Sequence, residues 1–314
     1  VRHVFVLANP EAGRGKGAKA RDAAIARLRG FDLNLSVRTG SSIAETRQFA
    51  IEAVAARPDV LVIVGGDGTL AIVLDVLVGS GIPIVLVPAG TGNDLARALG
   101  IPFGSAESAA AAVSAAAHGV PRALDVGEAV CPDGTALFLT VAALGFDAKV
   151  SERTNTLRWP RGRARYYLAM IIELIRLKPM TFTLRADGIE SPLSHGTLIA
   201  VGNTRSYGGG MPVCPQADPH DGVFDVVHIA PVGRAKLIRL LPRLLRGTHV
   251  QLPEVTTLRA TEIEVAAPGL VVYADGERVG SESVRIRTLP GALQILLPSI
   301  DGDHADFDMR RAHR

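Results

Sequence analysis

The chain has 314 residues, 47% of them hydrophobic and 21% charged, with a formal net charge of +3. That composition supports folded domains with real cores and excludes a disordered chain. Cys131 and Cys214 are too few and too separated for a disulfide framework or a cysteine zinc site, and no run reaches the roughly 20 apolar residues of a membrane span. No N-terminal stretch shows the charged, apolar, small-residue order of a signal peptide, so a cytoplasmic protein with reduced thiols is expected. The mild positive charge names no partner but is no obstacle to anionic membranes or nucleotides.

In chain order, residues 3–8 read as a strand, 9–17 as a polar glycine loop and 19–29 as a helix ended by Gly30. The loop Gly13-Arg14-Gly15-Lys16-Gly17 lacks the Gly-Lys-Ser/Thr ending of a Walker loop. A strand over 33–38 precedes Thr39, and Ser42-Ile43-Ala44-Glu45 is a capping box for a helix that reaches Arg57 and stops at Pro58. Val60 to Val64 is a continuous aliphatic run suited to a parallel strand covered on both faces. Gly65, Gly66 and Gly68 then clear space for a ligand beside the backbone, and a helix over 69–78 presents a phosphate-attracting N-terminus. A strand over 82–87, a second glycine loop, a short helix over 94–99 and a helix over 106–117 complete this half. Alternating strands and helices imply a parallel sheet whose ligand edge lies at the strands' C-terminal ends, where all three glycine loops fall.

From about residue 124 the pattern changes to short strands over 123–130, 136–144, 181–186, 197–201, 223–229, 262–266, 270–274, 283–287 and 293–297. Helices are predicted to be few here, chiefly over 163–177 and 234–245. The fold expected is an α/β N-terminal domain with a parallel sheet over 1–124, then a mostly antiparallel β-sandwich domain over 125–298.

Two loops repeat one design: Gly65-Gly66-Asp67-Gly68-Thr69, and Pro88-Ala89-Gly90-Thr91-Gly92-Asn93-Asp94-Leu95-Ala96-Arg97. A lone Asp67 reads equally as a turn aspartate at a helix cap and as a group that meets phosphate through magnesium. Asp275-Gly276 is the commonest hairpin-turn pair, and with Glu277 it also places two carboxylates after an apolar strand. Asp218, Asp221 and Asp225 crowd one turn, which suits hard-cation ligation or a plain acidic turn. Arg153, Arg158, Arg161, Arg163, Arg165, Arg176 and Lys178 surround Trp159, Tyr166 and Tyr167, a pattern shared by interfacial helices and by packed helices with a solvated rim. Residues 202–203 and 206–210 are a flexible lid or turn-rich linkage. Low aromatic content and the lack of a recognised binding fold exclude nucleic acid as the partner.

Taken together, the two glycine loops and Asn9-Pro10-Glu11-Ala12-Gly13 closely resemble the diacylglycerol kinase catalytic-domain family, which includes bacterial lipid kinases and the sphingosine kinases. The resemblance runs over nearly the whole chain and implies an active site in the interdomain cleft. It implies an ATP- and Mg2+-dependent kinase phosphorylating a lipid hydroxyl, foremost diacylglycerol to phosphatidic acid, with the tail 299–314 packed back on the first domain. Asn9, Pro10, Gly13, Lys16, Thr39, Gly66, Asp67, Gly68, Thr69, Thr91, Asn93 and Asp94 would bind the nucleotide and its magnesium. Glu277 or Asp275 would be the base, with Asp67 catalytic beside them. Asp218, Asp221 and the Val223 carbonyl would hold a second magnesium. The protein would work peripherally at the inner face of the membrane, as a monomer or a homodimer. Ala71 and Ile72 stand where many relatives carry Asn-Glu. The rival readings are a kinase for a sphingoid base or NAD, and a lipid- or nucleotide-binding regulator without catalysis.

Overall fold

The computed structural model describes residues 2–157, 159, 165, 168, 169, 172, 173 and 179–297. Strands β1 (Arg2–Ala8), β2 (Leu33–Thr39), β3 (Val60–Gly65) and β4 (Pro83–Pro88) pair in parallel in the order β4-β3-β1-β2. All six residues of β3 are buried, and alternate side chains feed two cores. Leu61 and Ile63 join Phe5, Leu7 and Ile84 against helices α2 (Ile43–Ala56) and α3 (Asp67–Leu77). Val60, Val62 and Val64 join Val4, Val6 and Val85 on the other face. There, alanines 20, 24, 109, 112 and 116 let α1 (Ala12–Leu28) and α5 (Ser105–His118) approach closely. Between β4 and α5 lies the one-turn helix α4 (Asp94–Ala98).

The second half contains β5 (Val120–Cys131), β6 (Gly134–Phe138), β7 (Val141–Gly145), α6 (Phe146–Thr156), β8 (Met180–Thr181), β9 (Thr183–Ala186), β10 (Ile189–Glu190), β11 (His195–Gly196) and β12 (Leu198–Gly202). It continues through β13 (Phe224–Ile229), α7 (Arg234–Leu244), β14 (Val255–Ala260), β15 (Glu262–Ala274) and β16 (Glu277–Leu297). These strands are antiparallel and form a β-sandwich around Phe138, Phe224, Ile263, Val272 and Ile286, with the Phe138 and Phe224 rings stacked at 5.8 Å. Val141, Ala200, Val213 and Ile229 pack with the inner face of α7 in a second cluster. Sheet order runs β14-β13-β12-β7-β15-β16-β4-β3-β1-β2, so β16 joins both halves. Its residues Gln294 and Ile295 lie parallel to Pro83 and Ile84 of β4. The tail 299–314 and most of the basic aromatic segment lie outside the described residues.

Several local expectations are corrected. The loop expected over 9–17 is helical from Ala12, with Gly13 and Gly15 at φ +58° and +85° making its first turn irregular. The capping box holds in part: Ser42 Oγ accepts from the Glu45 N–H at 3.2 Å, but Glu45 returns its bonds to Ser41. Helix α3 begins at Asp67 rather than Thr69 because Gly66 accepts the first turn's backbone bonds. The run 136–144 is two strands broken at Leu139-Thr140. The pairs 262–266 with 270–274, and 283–287 with 293–297, are each one strand containing a register shift. Helix α6 was not expected, since its Ser, Thr and Asn residues are poor helix formers.

Candidate active site between the two domains

Three backbone segments meet at the C-terminal edge of the parallel sheet, and glycine is what allows them to touch. A Cβ on Gly66 would lie 2.6 Å from the Gly90 Cα, and one on Gly13 would lie 2.0 Å from the Ala89 carbonyl oxygen. A Cβ on Gly68 would meet nothing within 4 Å, so that position opens outward. Asn93, itself at φ 53°, locks the second loop by accepting from the Gly90 N–H at 2.8 Å and donating to the Gly90 carbonyl at 3.1 Å. Asn9 Nδ2 reaches the buried Thr69 hydroxyl at 3.4 Å.

Asp67 makes the bonds expected of the turn reading. Its Oδ2 accepts from the Asp94 N–H at 3.1 Å and its Oδ1 from the Leu95 N–H at 3.4 Å, so it caps α4. Gly92 is pressed against the same pair, since a Cβ there would lie 2.9 Å from Asp67 Oδ2 and 3.3 Å from Asp94 Oδ2. Asp94 is 6% exposed; its Oδ2 accepts from the Gly209 N–H at 2.9 Å, while its Oδ1 is buried with no hydrogen-bond partner. Burial pushes its carboxyl above the usual range, and the neighbouring Asp67 charge adds to the effect. Gly209 belongs to the glycine triplet Gly208–Gly210, so the second domain closes onto the first through Asp94.

The facing wall comes from β15, β16 and the break between β6 and β7. Ala274 pairs with Glu277, and Asp275 and Gly276 turn the hairpin at φ 49° and 84°, the left-handed pair such a turn requires. Asp275 Oδ2 accepts from the Leu139 N–H at 2.7 Å, and its Oδ1 accepts from the Thr140 N–H at 2.8 Å and from the Thr140 hydroxyl. The interruption of the 136–144 run therefore supplies the donors that fix this carboxylate. Burial pushes the Asp275 carboxyl up to about 6, those donors oppose the shift, and the Asp67 charge across the cleft adds to it. Glu277, two residues on, is exposed.

Other predicted residues lie further out. Lys16 is exposed on α1, Thr91 is exposed on the second loop, and Thr39 ends β2. Pro10 opens the turn into α1. In the acidic turn, Asp218 accepts from the His220 N–H at 3.1 Å, and Asp221 accepts from the Val223 N–H and pairs with Arg259. Burial raises the Asp225 carboxyl against the pull of Arg259. Among the described residues no group of three or more His, Cys, Asp or Glu side chains is gathered as a metal cluster.

Sequence reasoning missed Asp125. It is 3% exposed and accepts from the Gly222 and Gly291 N–H groups, both at 2.7 Å, tying the acidic turn to β16. Asn203, also buried, donates to the Asp125 and Leu139 carbonyls at 2.9 Å, which carries that support to the segment holding Asp275. A lone aspartate inside an apolar strand was the available signal.

Residues 3–129 match the diacylglycerol kinase catalytic domain, and residues 140–297 match the YegS C-terminal NAD kinase beta sandwich-like domain. The chain is 43% identical over 296 residues to a diacylglycerol kinase of Mycobacterium tuberculosis, covering 94% of this chain and 95% of that one. It is 32% identical to a protein named "Probable lipid kinase YegS-like" from Stenotrophomonas maltophilia, covering 91% and 94%. The fold matches a crystal structure of a diacylglycerol kinase from Bacillus anthracis with a TM-score of 0.67 at 19% identity, covering 94% and 96%. With both domain matches in their expected order and relatives matched along nearly their full length, the chain belongs to the diacylglycerol kinase family of lipid kinases.

Proposed function

We propose that the protein transfers the γ-phosphate of ATP, in a magnesium-dependent reaction, to a lipid hydroxyl, with diacylglycerol as acceptor and phosphatidic acid as product. The observation that carries this reading is the meeting of the two domains at the adjoining carboxylates Asp67 and Asp94, where the Gly209 N–H of the second domain donates to Asp94 at 2.9 Å. The name of the mycobacterial relative supports the choice of acceptor.

The residues fit a nucleotide and its cation. Gly66 and Gly90 leave no room for side chains where the loops meet, Gly68 opens outward, and Asp94 Oδ1 is a buried acceptor with no hydrogen-bond partner. Asp67 and Asp94 would hold magnesium, which when bound neutralises phosphate charge. The loops containing Gly66, Gly68, Thr69, Thr91 and Asn93 would hold the phosphates, with Lys16 nearby. Asn9, Pro10, Gly13 and Thr39 would support the rest of the nucleotide. Asp275 has both oxygens committed to backbone and hydroxyl donors, so it orients the wall. The exposed Glu277 is free to swing and accepts the proton of the attacking hydroxyl. Asp218, Asp221 and the Val223 carbonyl would form a second magnesium site, for which Asp221 must exchange Arg259 for the ion. The enzyme works peripherally at the inner face of the membrane.

Transfer of labelled γ-phosphate to diacylglycerol, a sphingoid base and NAD, with magnesium or chelator, tests this. Magnesium-dependent labelling of diacylglycerol is expected, with Glu277→Gln lowering kcat by about 10²- to 10⁴-fold. Labelling of NAD alone, or of no acceptor by folded protein, would refute it.

A further inference from the structure

Helix α7 and the two residues after it carry Arg234, Lys236, Arg239, Arg243 and Arg246, and no acidic side chain. Its inner face is ordinary: Leu237, Leu240 and Leu244 are buried against Val227, Ile229, Tyr207 and Met211. The outer face is not ordinary for a solvated helix. Ile238 is 55% exposed and Leu245 is 47% exposed. At about 100° per residue, Ile238, Pro242 and Leu245 form one outward stripe, and Arg239, Arg243 and Arg246 form the adjoining one. Lys236 pairs with Glu254, which also feels the charge of Arg243, and none of the four arginines makes an ion-pair contact within 4.0 Å among the described residues.

A solvated helix has no use for an aligned apolar stripe, and a buried protein interface would not leave four arginines unpaired beside it. An anionic bilayer satisfies both stripes: the apolar one enters the headgroup boundary and the arginines meet lipid phosphates. We infer that the outer face of α7 is the surface by which this protein docks on an anionic lipid bilayer. No described helix is long and apolar enough to cross a membrane, so contact would be made by such a face.

Its position is apt. Tyr207 and Met211, against which α7 packs, flank Gly208–Gly210, and the Gly209 N–H bonds Asp94 in the site. Docking would set the membrane about one helix diameter, roughly 10 Å, from that loop. Leu241 of α7 shares a small apolar cluster with Leu157, and Trp159, two residues on, is 78% exposed, in keeping with an interfacial aromatic. The use made of this surface rests on the lipid-kinase reading; the docking itself does not.

The test is co-flotation of the full chain with phosphatidylcholine vesicles and with vesicles also containing phosphatidylglycerol, without ATP. The wild type should float with the anionic vesicles, less so as salt rises. Each cation near an anionic surface contributes about a fivefold gain in partition, so Arg239→Glu with Arg243→Glu should weaken flotation at least about 25-fold. Ile238→Ser with Leu245→Ser should weaken it independently of salt. Both pairs are exposed, so thermal unfolding and phosphorylation of detergent-dispersed lipid should be unchanged. Failure of the wild type to float, or flotation of both variants at the wild-type level, would overturn the proposal. Charge-sensitive flotation by a protein that phosphorylates no lipid would uphold the docking surface and remove the kinase reading.

Discussion

Replacing Asp275 by Asn should change how stability depends on pH, by an amount set by the burial of that carboxylate. Its pKa is lifted from 3.8 to about 6, chiefly by burial. A shift of about two units corresponds to roughly 3 kcal/mol. Between those values the folded state binds more protons than the unfolded state, so this group's contribution is fully present below the lower value. It is lost as pH rises, and above about 6 the ionised carboxylate costs roughly 3 kcal/mol. Asp75, Asp133 and Asp187 act in the opposite direction, their carboxyls being lowered chiefly by hydrogen bonds from Arg47, Ser281 and Thr261 respectively. They are common to both proteins and cancel in the difference. Urea unfolding of the ligand-free wild type and Asp275→Asn across pH 4 to 7 should show the wild type losing about 2.4 kcal/mol relative to the variant. The wild-type kcat/KM should also fall on the acid side of about 6, as a proton on one carboxyl oxygen displaces the donor that oxygen accepts from, Leu139 or Thr140. Parallel stability curves for the two proteins would refute the reasoning.

Gly92→Ala places a Cβ 2.9 Å from Asp67 Oδ2 and 3.3 Å from Asp94 Oδ2. It should misplace both carboxylates by a few tenths of an ångström and lower kcat/KM by about 10- to 100-fold, with little change in thermal unfolding. Asp67→Ala removes the acceptors for two α4 N–H groups and should cost about 1 kcal/mol in urea unfolding. Asp67→Asn keeps an acceptor and should unfold nearly as the wild type does, so equal loss of phosphate transfer in both variants would assign that loss to the charge. The Gly209 amide should exchange with solvent faster than the ladder amides of β16, and slow further when nucleotide and magnesium are added; mass spectrometry of exchanged peptides reads both.

The sheet was legible where burial leaves its mark on every residue. The run Val60 to Val64 announces a strand covered on both faces, and its alternate side chains do enter two cores. The break at Leu139-Thr140 was not legible, because both flanks are apolar and the reason for the break is a carboxylate more than a hundred residues away. The start of α1 was hidden by three glycines, which disfavour helix locally, while Ala20, Ala24 and Leu28 anchor the helix in the core. In the site, Asp67 stood out because glycines flank it, and Asp94 because it closes a glycine-rich turn into a helix. Asp125 and Asn203 did not, since their partners are backbone groups of segments distant in sequence.

Domains joined by a flexible linker are expected to move against one another. Here the ladder continues from β15 through β16 to β4, and β16 begins at the hairpin that carries Asp275 and ends paired with Pro83 and Ile84. Opening the cleft as a hinge would break that parallel pairing and disturb the β5 ladder beside it. The separation of Asp67 from Asp275 is therefore held by the sheet itself. The segment Gly208–Gly210 lies outside the ladder, with φ values of 64°, 87° and 103° that only glycine adopts at little cost. A Cβ on Gly210 would strike the Arg97 side chain, so even this loop is fitted to the first domain when closed. Sheet continuity fixes how the two halves sit, and the backbone bond from the Gly209 N–H to Asp94 ties the glycine loop to the first of them.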